Sequence, residues 1–493
     1  MQLKKIHYND IFWIDIFCIF GIGLFCLLYS LFANNFAKLN IRFEFVNFPI
    51  FIGEILLGTC FILLTYKTTK LKAKLGIWHY LFLAFLGFIV LKALSGYYKW
   101  GALSFRSAAL FYYTIFAIFS YYFYNKNIFE KISIKLAILI LLTTLASLAY
   151  PSLYFQFIYY ILILAIYISF EYRFLKLVGL IIFIYFIFIG NLFNQTKGMF
   201  ISLWVSIIYL LFIVYPLLII KIKNWKFKSF SYLAPFIILL LIFNFLVNEK
   251  MHKRIQIWAN IKGTINDFMV FNKELHSART LYKPKDSNIK LYSEYRIPDE
   301  KSSVSIPKQL VGIVYETIEL PIDYYKEKIK KVDNQSQQTV ISRSGGQDEY
   351  NILWRMFVWR DMVSEVYHDK IILGEDFGKP FRSVSLETSN QLSGIGWHTG
   401  SDVGWLEPHN SYIHILYRAG IMGLLFIIFI WGLFIKLTID FITRRDFIGL
   451  LLSSALLFWL VLANFIVFLE LPYFAIPFWS LFGLTLAYCY KDR

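Results

Sequence analysis

The sequence predicts an all-α polytopic membrane protein with about twelve transmembrane helices and one large external loop domain. Composition, the lengths of the apolar stretches and the charges between them all indicate this class. Of the 493 residues, 58% are apolar and 16% are charged, whereas soluble domains average about 25% charged residues. The mean hydropathy is +0.57. These values exclude a water-exposed globular fold, and they exclude intrinsic disorder, which requires low hydrophobicity.

Each predicted span is a stretch close to the ~20 apolar residues that cross a bilayer core. The first stretch follows Lys4 and Lys5 and is too long for a signal peptide, so it is predicted to be a span. Pro151 leaves only a very short turn between the fifth and sixth stretches. The twelve stretches are 11–33, 48–66, 76–94, 103–123, 133–150, 153–170, 173–194, 198–219, 229–248, 411–435, 447–469 and 471–489.

The charges between these stretches predict the orientation of the chain. With a cytoplasmic N-terminus, the cytoplasmic sides hold 20 Lys and Arg residues and the short external sides with nearby span ends hold 6. Short cytoplasmic loops of membrane proteins carry such an excess. Both termini are therefore predicted to be cytoplasmic, and the long polar segment 249–411 is predicted to be external.

The net charge of +17 does not indicate a nucleic-acid-binding protein. Residues 249–411 carry 22 basic and 22 acidic side chains, so the whole excess lies in and around the predicted spans. A basic patch on one polar face would be expected of a nucleic-acid surface. No nucleic-acid partner and no cofactor are expected, and the four cysteines, all in apolar stretches, are predicted to be small buried hydrophobic residues.

Three regions follow from this pattern: 1–248 with spans one to nine, 249–410 as the external loop domain, and 411–493 with spans ten to twelve. Within the loop, residues 348–369 are predicted to form an amphipathic helix. Its aromatic and apolar residues Trp354, Phe357, Val358 and Trp359 favour a helix that lies at the membrane interface.

The strongest motif runs from Glu407 to Gly423, with the sequence EPHNSYIHILYRAGIMG. A His-Asn pair, His409 and Asn410, precedes a span. That span carries a Leu-x-x-x-Gly-x-x-Gly pattern, formed by Leu416, Gly420 and Gly423. This segment resembles the C-terminal signature of the O-antigen ligase family, which includes related O-antigen polymerases.

Two further elements resemble the same family and occur in the same order along the chain. Arg355 and Trp359 match an Arg-x-x-x-Trp element, which is followed by a Leu-Gly turn that begins at Leu373. Thr196-Lys197-Gly198 stands where family members usually carry Ser-Arg-Gly. Lys197 departs from that pattern, because a lysine lacks the bidentate fork of arginine.

The resemblance implies a GT-C-like glycosyltransferase of the bacterial inner membrane, with its active site on the periplasmic side. Such enzymes take a glycan from undecaprenyl pyrophosphate and are expected to be inverting and metal-independent. A ligase passes the glycan to lipid A-core, and a polymerase passes it to another lipid-linked repeat unit. Both reactions remain open at this point, as do the sugar, its linkage and the oligomeric state. The absence from the sequence of Asp-x-Asp, Gly-x-Gly-x-x-Gly and P-loop motifs is consistent with a donor that is not a nucleotide-sugar.

The site residues expected from the resemblance are cations for the pyrophosphate and a base for the acceptor hydroxyl. His409 is the candidate base or acceptor-positioning residue, and Arg355 is the candidate pyrophosphate ligand. Arg360 lies roughly 140° from Arg355 on a helix, so both cannot face one site unless the helix breaks. The alternative for the arginines is snorkelling toward headgroups. Lys197 and Arg106 are further donor-binding candidates near the outer ends of their spans, and Asn410 is a helix cap or an acceptor contact.

Some charged residues have a structural alternative or no evident role. Glu54, inside a predicted span, is expected to pair with a neighbouring span, and Lys92 is expected to snorkel. His414 carries no functional signal, because it lies five residues after His409 and faces away from it on a helix. A transporter, such as a lipid-linked oligosaccharide flippase, is the alternative from another functional class. Paired Gly/Pro breaks at corresponding spans would favour it, and none is evident in the sequence.

Overall fold

In the computed structural model the chain divides into two compact units. One comprises Met1–His252 with Phe357–Arg493, and the other comprises Lys253–Met356. The predicted spans 133–150, 153–170, 173–194 and 229–248, the external residues 249–346 and the turns at 391–407 lie outside the described residues. The structure describes most of residues 15–43, and residues 48–70, 77–125, 197–209, 212–213, 347–387 and 408–491.

The described part of the chain is mostly helical, and four of its helical stretches are long and apolar enough to cross a membrane. This confirms a helical membrane protein in the coarse sense. The four stretches are Ile52–Thr69, Leu103–Phe123, Ser411–Arg444 and Pro472–Lys491.

A β-hairpin precedes the first of these stretches. Strand β1 (Asn40–Phe43) pairs antiparallel with β2 (Phe48–Phe51), with Asn40 opposite Phe51. Helix α1 (Ile52–Lys70) begins directly after β2. The predicted span 48–66 was therefore wrong at both ends, because the aromatic and β-branched residues before Ile52 favour a strand.

Three helices follow: α2 (Ile77–Trp100), α3 (Leu103–Tyr112) and α4 (Ile115–Phe123). The predicted span 103–123 is confirmed as an apolar stretch long enough to cross a membrane, and a turn at Tyr113 and Thr114 divides it into α3 and α4. The Thr114 hydroxyl donates to the Phe111 carbonyl at 2.6 Å, a local bond that competes with the helical ladder. Glu54 accepts hydrogen bonds from the Tyr112 and Tyr113 hydroxyls at 2.8 and 3.1 Å, which confirms its expected pairing with a neighbouring span.

Two further helices contribute to the predicted motifs. Helix α5 (Lys197–Tyr209) begins at the Lys197-Gly198 element. Helix α6 (Gln347–Asp369) matches the predicted helix 348–369. Its predicted membrane-facing side was wrong in part, because Phe357 and Val358 are buried within the protein at 2% and 0% exposure.

The C-terminal part contains α7 (Ser411–Arg444), α8 (Phe447–Leu462), a 3₁₀ helix (Phe468–Glu470) and α9 (Pro472–Lys491). Helix α7 is longer than the predicted 411–435, and α8 is shorter than the predicted 447–469. Helix α9 packs against α4, α8 packs against α5 and α7, and the 3₁₀ helix lies against α3. The early end of α8 carries the chain back to α3, and this return places Glu470 beside Arg106.

The core of this unit is rich in aromatic rings. Trp479 of α9 contacts Phe426 of α7 and Phe482 of its own helix, with ring centroids about 6 Å apart. Tilted and edge-to-face ring pairs at this distance stabilise packing beyond the area they bury. Of the four cysteines, Cys18, Cys60 and Cys489 are buried and Cys26 is half-buried, and none of the four forms a disulfide.

Candidate functional site

Two of the predicted sequence elements meet where α6 passes the start of α7. The indole N–H of Trp359 donates to the Pro408 carbonyl at 2.6 Å. Asn410 is the N-cap of α7, since its side-chain oxygen accepts from the Tyr412 and Ile413 amides at 2.9 and 3.0 Å. The Ser411 amide donates to the Ala463 carbonyl at 2.7 Å. The chain before α7 is therefore held from two sides.

His409 lies between these fixed points and is exposed. Its φ angle is 49°, in the left-handed region that costs a non-glycine residue about 1–2 kcal/mol. Histidine is among the residues that occupy this region more often than most. The fixed neighbours on either side hold the His409 backbone in this strained conformation. Strained backbone conformations of this kind are common at functional sites.

The Leu-Gly turn after α6 packs against a kink in α7. The kink lies at Gly420, whose φ and ψ of 56° and −138° are not helical. A Cβ atom on Gly420 would lie 2.5 Å from the Ile371 carbonyl oxygen, and one on Gly374 would lie 2.5 Å from the Gly420 amide nitrogen. Both positions need glycine, because the two backbones touch there.

The kink leaves carbonyl groups of α7 without helical partners, and the turn supplies new ones. The Glu375 amide donates to the Tyr417 carbonyl at 2.7 Å. The Lys92 ammonium, on α2, donates to the Arg418 carbonyl at 2.5 Å, to the Gly374 carbonyl at 3.2 Å and to the Leu373 carbonyl. Lys92 was expected to snorkel toward the headgroups. Instead it joins α2, the turn and α7, because a half-buried ammonium needs acceptors for its protons.

A chain of charged and polar groups runs from α3 through the 3₁₀ helix to α7. Arg106 of α3 donates through Nε to Glu470 Oε1 at 2.5 Å. The second carboxylate oxygen of Glu470 lies 3.4 Å from His414 Nδ1. Arg418 Nε donates to His414 Nε2 at 3.3 Å, and its NH1 donates to the Asp376 carbonyl at 2.8 Å.

The burial of this chain is unequal. The side chains of Glu470 and His414 are 2% and 1% exposed, and Arg418 is 1% exposed, but the Arg106 side chain is 41% exposed. Because Nε2 of His414 accepts from Arg418, its Nδ1 carries the proton and faces Glu470. The chain thus holds one partly exposed guanidinium at its end, oriented by a buried carboxylate.

Ion pairs stabilise the turn on its polar side. Lys99 donates to Asp376 at 2.9 Å. Burial alone would raise the Asp376 pKa, but the Lys99 hydrogen bond and the charges of Lys370, Lys99 and Lys92 leave that pKa below its usual value. For the Lys379 pKa, burial and the neighbouring charges act in the opposite directions. Burial would lower its pKa, but Glu365 and Glu375 raise it above the usual value.

The remaining predicted site residues occupy separate places. Arg355 lies on α6 in the Lys253–Met356 unit, and burial lowers the pKa of its guanidinium. Arg360 is half-buried on the same unbroken helix, so the two arginines point in different directions. Lys197 is the first residue of α5, and the structure describes its backbone only.

Sequence reasoning missed Glu470, His414 and Arg418. His414 was expected to lack a function because it faces away from His409, yet it faces the buried carboxylate. The available signal was the i, i+4 spacing of His414 and Arg418, which puts both on one face of an apolar helix. A lone Glu470 between two apolar stretches was a second signal, because such a charge is costly unless it has a partner.

Within the described residues, no group of three or more His, Cys, Asp or Glu side chains could hold a metal ion. Comparisons with protein-family models, with curated proteins and with solved structures gave no match.

Proposed function

We propose that the protein is an outer-leaflet glycosyltransferase, which moves a glycan from undecaprenyl pyrophosphate to a sugar hydroxyl. The preferred acceptor is lipid A-core, which makes the protein an O-antigen ligase in lipopolysaccharide biosynthesis. A polysaccharide polymerase of the same family is the alternative within the same chemistry. In this proposal the chain has twelve spans, both termini are in the cytoplasm, and residues 249–410 form a periplasmic loop domain in the bacterial inner membrane.

One observation carries the proposal. Two of the three elements that resemble the family are far apart in sequence, yet they meet in space. Trp359 is hydrogen-bonded to Pro408, directly before the His409-Asn410 pair. The Leu373-Gly374 turn touches Gly420 of the Glu407–Gly423 motif. Convergence of separate motif residues is expected of a functional site and not of chance matches.

The proposed roles follow from the chemistry of the reaction. The leaving pyrophosphate gains negative charge, which fixed cations stabilise. Arg106, oriented by Glu470 and partly exposed, would bind the pyrophosphate. Arg355, Lys197 and Arg360 are the other candidates for this role. His409 would accept the proton from the acceptor hydroxyl, since a neutral imidazole can do so near physiological pH.

The test is a deletion strain complemented with the wild-type gene, His409→Ala or His409→Asn. Asparagine tolerates the left-handed backbone, so His409→Asn separates loss of the imidazole from loss of the loop conformation. Lipopolysaccharide and undecaprenyl-linked glycan would be compared on gels. A ligase deletion leaves long chains on the carrier and a bare core, and both variants should look the same as the deletion despite normal membrane levels.

Two other outcomes would change the assignment. Single repeat units on the core in the deletion strain would indicate a polymerase. Normal pools in the deletion strain would refute both reactions; the recipient would then be another molecule, or the transporter hypothesis would have to be reopened. Full activity in both His409 variants would remove the proposed base without deciding between ligase and polymerase.

A further inference from the structure

The turn after α6 exposes three consecutive apolar side chains. Ile371, Ile372 and Leu373, here called the apolar turn, are 42%, 62% and 53% exposed. Exposed runs of this kind in the aqueous part of a protein mark contact surfaces. The polar side of the same segment is occupied by the ion pairs of Lys99 and Lys370 with Asp376, so the apolar and charged sides are segregated.

Two contacts with α2 give the direction of the segment. Lys99 binds Asp376, and Lys92 binds the Leu373 carbonyl. Seven residues of a helix span about 10 Å, so the apolar turn lies roughly two helical turns closer to the start of α2 than Asp376. The intervening end of α2 carries Tyr97 and Tyr98, which are 44% and 88% exposed. Exposed aromatic residues of this kind are typical of the membrane–water interface.

A contact with α7 gives the depth independently. The Ile421 amide donates to the Ile371 carbonyl at 2.9 Å. Residues 421–444 span about 36 Å as a helix, which slightly exceeds the ~30 Å hydrocarbon core. The apolar turn therefore meets α7 at the edge of the core. Leu424 and Leu425, the next exposed residues of α7, are 44% and 54% exposed and continue the apolar surface.

Part of the backbone of the segment is bonded within the protein, as entry into a bilayer requires. Non-helical backbone at membrane depth must have its polar groups bonded within the protein. The Ile371 carbonyl is bonded to Ile421, and the Leu373 and Gly374 carbonyls are bonded to Lys92. The amides of Gly374 and Glu375 donate to the Lys370 and Tyr417 carbonyls. Lys92 therefore donates hydrogen bonds to carbonyl groups at the place where lipid would replace water.

We infer that the apolar turn is a membrane-inserted wedge, whose three side chains contact the acyl chains of one leaflet. In the proposed orientation this is the outer leaflet. The wedge fixes the depth of the α7 kink in the membrane. It thereby also fixes the depth of residues 409–418, which directly precede the kink. The inference uses no catalytic role, so its test is independent of the proposed function.

The test measures the depth of a fluorophore on the full-length protein in lipid nanodiscs. Ile372→Cys would be labelled with a small environment-sensitive dye, and the unsubstituted protein would give the background from its own cysteines. Doxyl-labelled lipid quenches from the acyl region, and iodide quenches from water. Ile428→Cys in α7 and Val384→Cys, between two serines that bond Asp361, are controls, with exposures of 57% and 49% at the native residues.

The label at Ile372 should lose most of its fluorescence to doxyl lipid, as the label at Ile428 does, and little to iodide. The label at Val384 should behave in the opposite way. Leu373→Cys should repeat the result for Ile372, so that a local disturbance by one label does not decide the outcome.

Three results would overturn the inference. Iodide quenching equal to that at Val384 would place the turn in water. Protection from both quenchers would mean that another part of the protein covers it. Loss of doxyl quenching upon addition of polyprenyl phosphate would identify the carrier tail, and not the bulk bilayer, as the occupant.

Discussion

The indole N–H of Trp359 lies 2.6 Å from the carbonyl oxygen of Pro408 and joins α6 to the segment before α7. This bond holds the residue directly before His409. A phenylalanine at position 359 would remove the donor and part of the ring packing, a truncation that the control variant below shares. The net contribution of the hydrogen bond to stability is about 1 kcal/mol, so an effect on activity larger than that of the control reports the position of His409.

We expect Trp359→Phe to lower the initial rate of glycan transfer about tenfold, the equivalent of about 1.4 kcal/mol, while thermal unfolding changes little. The matched control is Trp431→Phe, which removes a 3.1 Å bond from an indole N–H to the Tyr412 hydroxyl. The control should keep the transfer rate. Equal rate losses in both variants would argue against a special role for the Trp359 bond.

Gly420→Ala should strongly destabilise the protein. The residue has a φ of 56°, and a Cβ atom there would meet the Ile371 carbonyl and the Gly374 amide at 2.5 and 2.6 Å. The backbone term alone costs about 1–2 kcal/mol, and the steric contact adds to it. Gly432→Ala in the same helix is the control, since nothing lies within 4 Å of its Cβ position; alanine should stabilise it by up to ~1 kcal/mol. The midpoint of thermal unfolding in detergent should fall for the first variant and not for the second, and a similar shift in both would refute the packing argument.

Asp376→Asn should destabilise the protein at neutral pH and have a smaller effect in acid. The folded-state pKa of Asp376 lies below its usual value, because the hydrogen bond from Lys99 and neighbouring lysine charges outweigh burial. Such a carboxylate contributes stability above its unfolded pKa of about 3.9, and this contribution is lost as the pH falls through the folded-state pKa. Melting curves of both proteins from pH 7 to pH 3 should therefore converge. Lys99→Met should show the same convergence, and a constant difference across this range would contradict the ion pair as the cause.

The sequence was sufficient for features that depend on nearby residues. Asn410 could be predicted as a cap, because its partners are two and three residues away, and α6 could be placed to within a residue. The Gly420 kink could not be predicted, because its conformation depends on the turn at 371–374. The turn at Thr114 and the hairpin at Asn40–Phe51 depend on local bonds but were also missed, because the apolar stretches that contain them equally fit continuous spans.

The candidate site shows the same division. His409 and Arg106 could be named from their positions at predicted span ends. Glu470 and His414 could not be matched to each other, because one precedes α9 and the other lies in the first turns of α7. Their 3.4 Å approach depends on the early end of α8, which the apolar stretch 447–469 conceals. The pattern of apolar residues predicts helices, but it does not predict contacts between helices that are distant in sequence.

Glu470→Gln tests whether the buried carboxylate orients Arg106. The amide keeps the shape of the side chain but loses the charge that holds the guanidinium 2.5 Å away. Removal of one member of a fully buried pair costs about 3–5 kcal/mol, and the cost here should be smaller because water reaches the 41% exposed Arg106 side chain. We therefore expect a folded protein with a raised KM for the lipid-linked donor and a smaller change in kcat.

Control variants separate a loss of Arg106 orientation from a general loss of folding. Glu387→Gln, which removes the partner of the exposed Arg382, should leave KM unchanged, since exposed ion pairs contribute little. Arg106→Gln should raise KM at least as much as Glu470→Gln, and the double variant should be no worse than Arg106→Gln alone, because both changes remove one interaction. Additive effects of the two substitutions would mean that Glu470 acts on the site through His414 and not through Arg106.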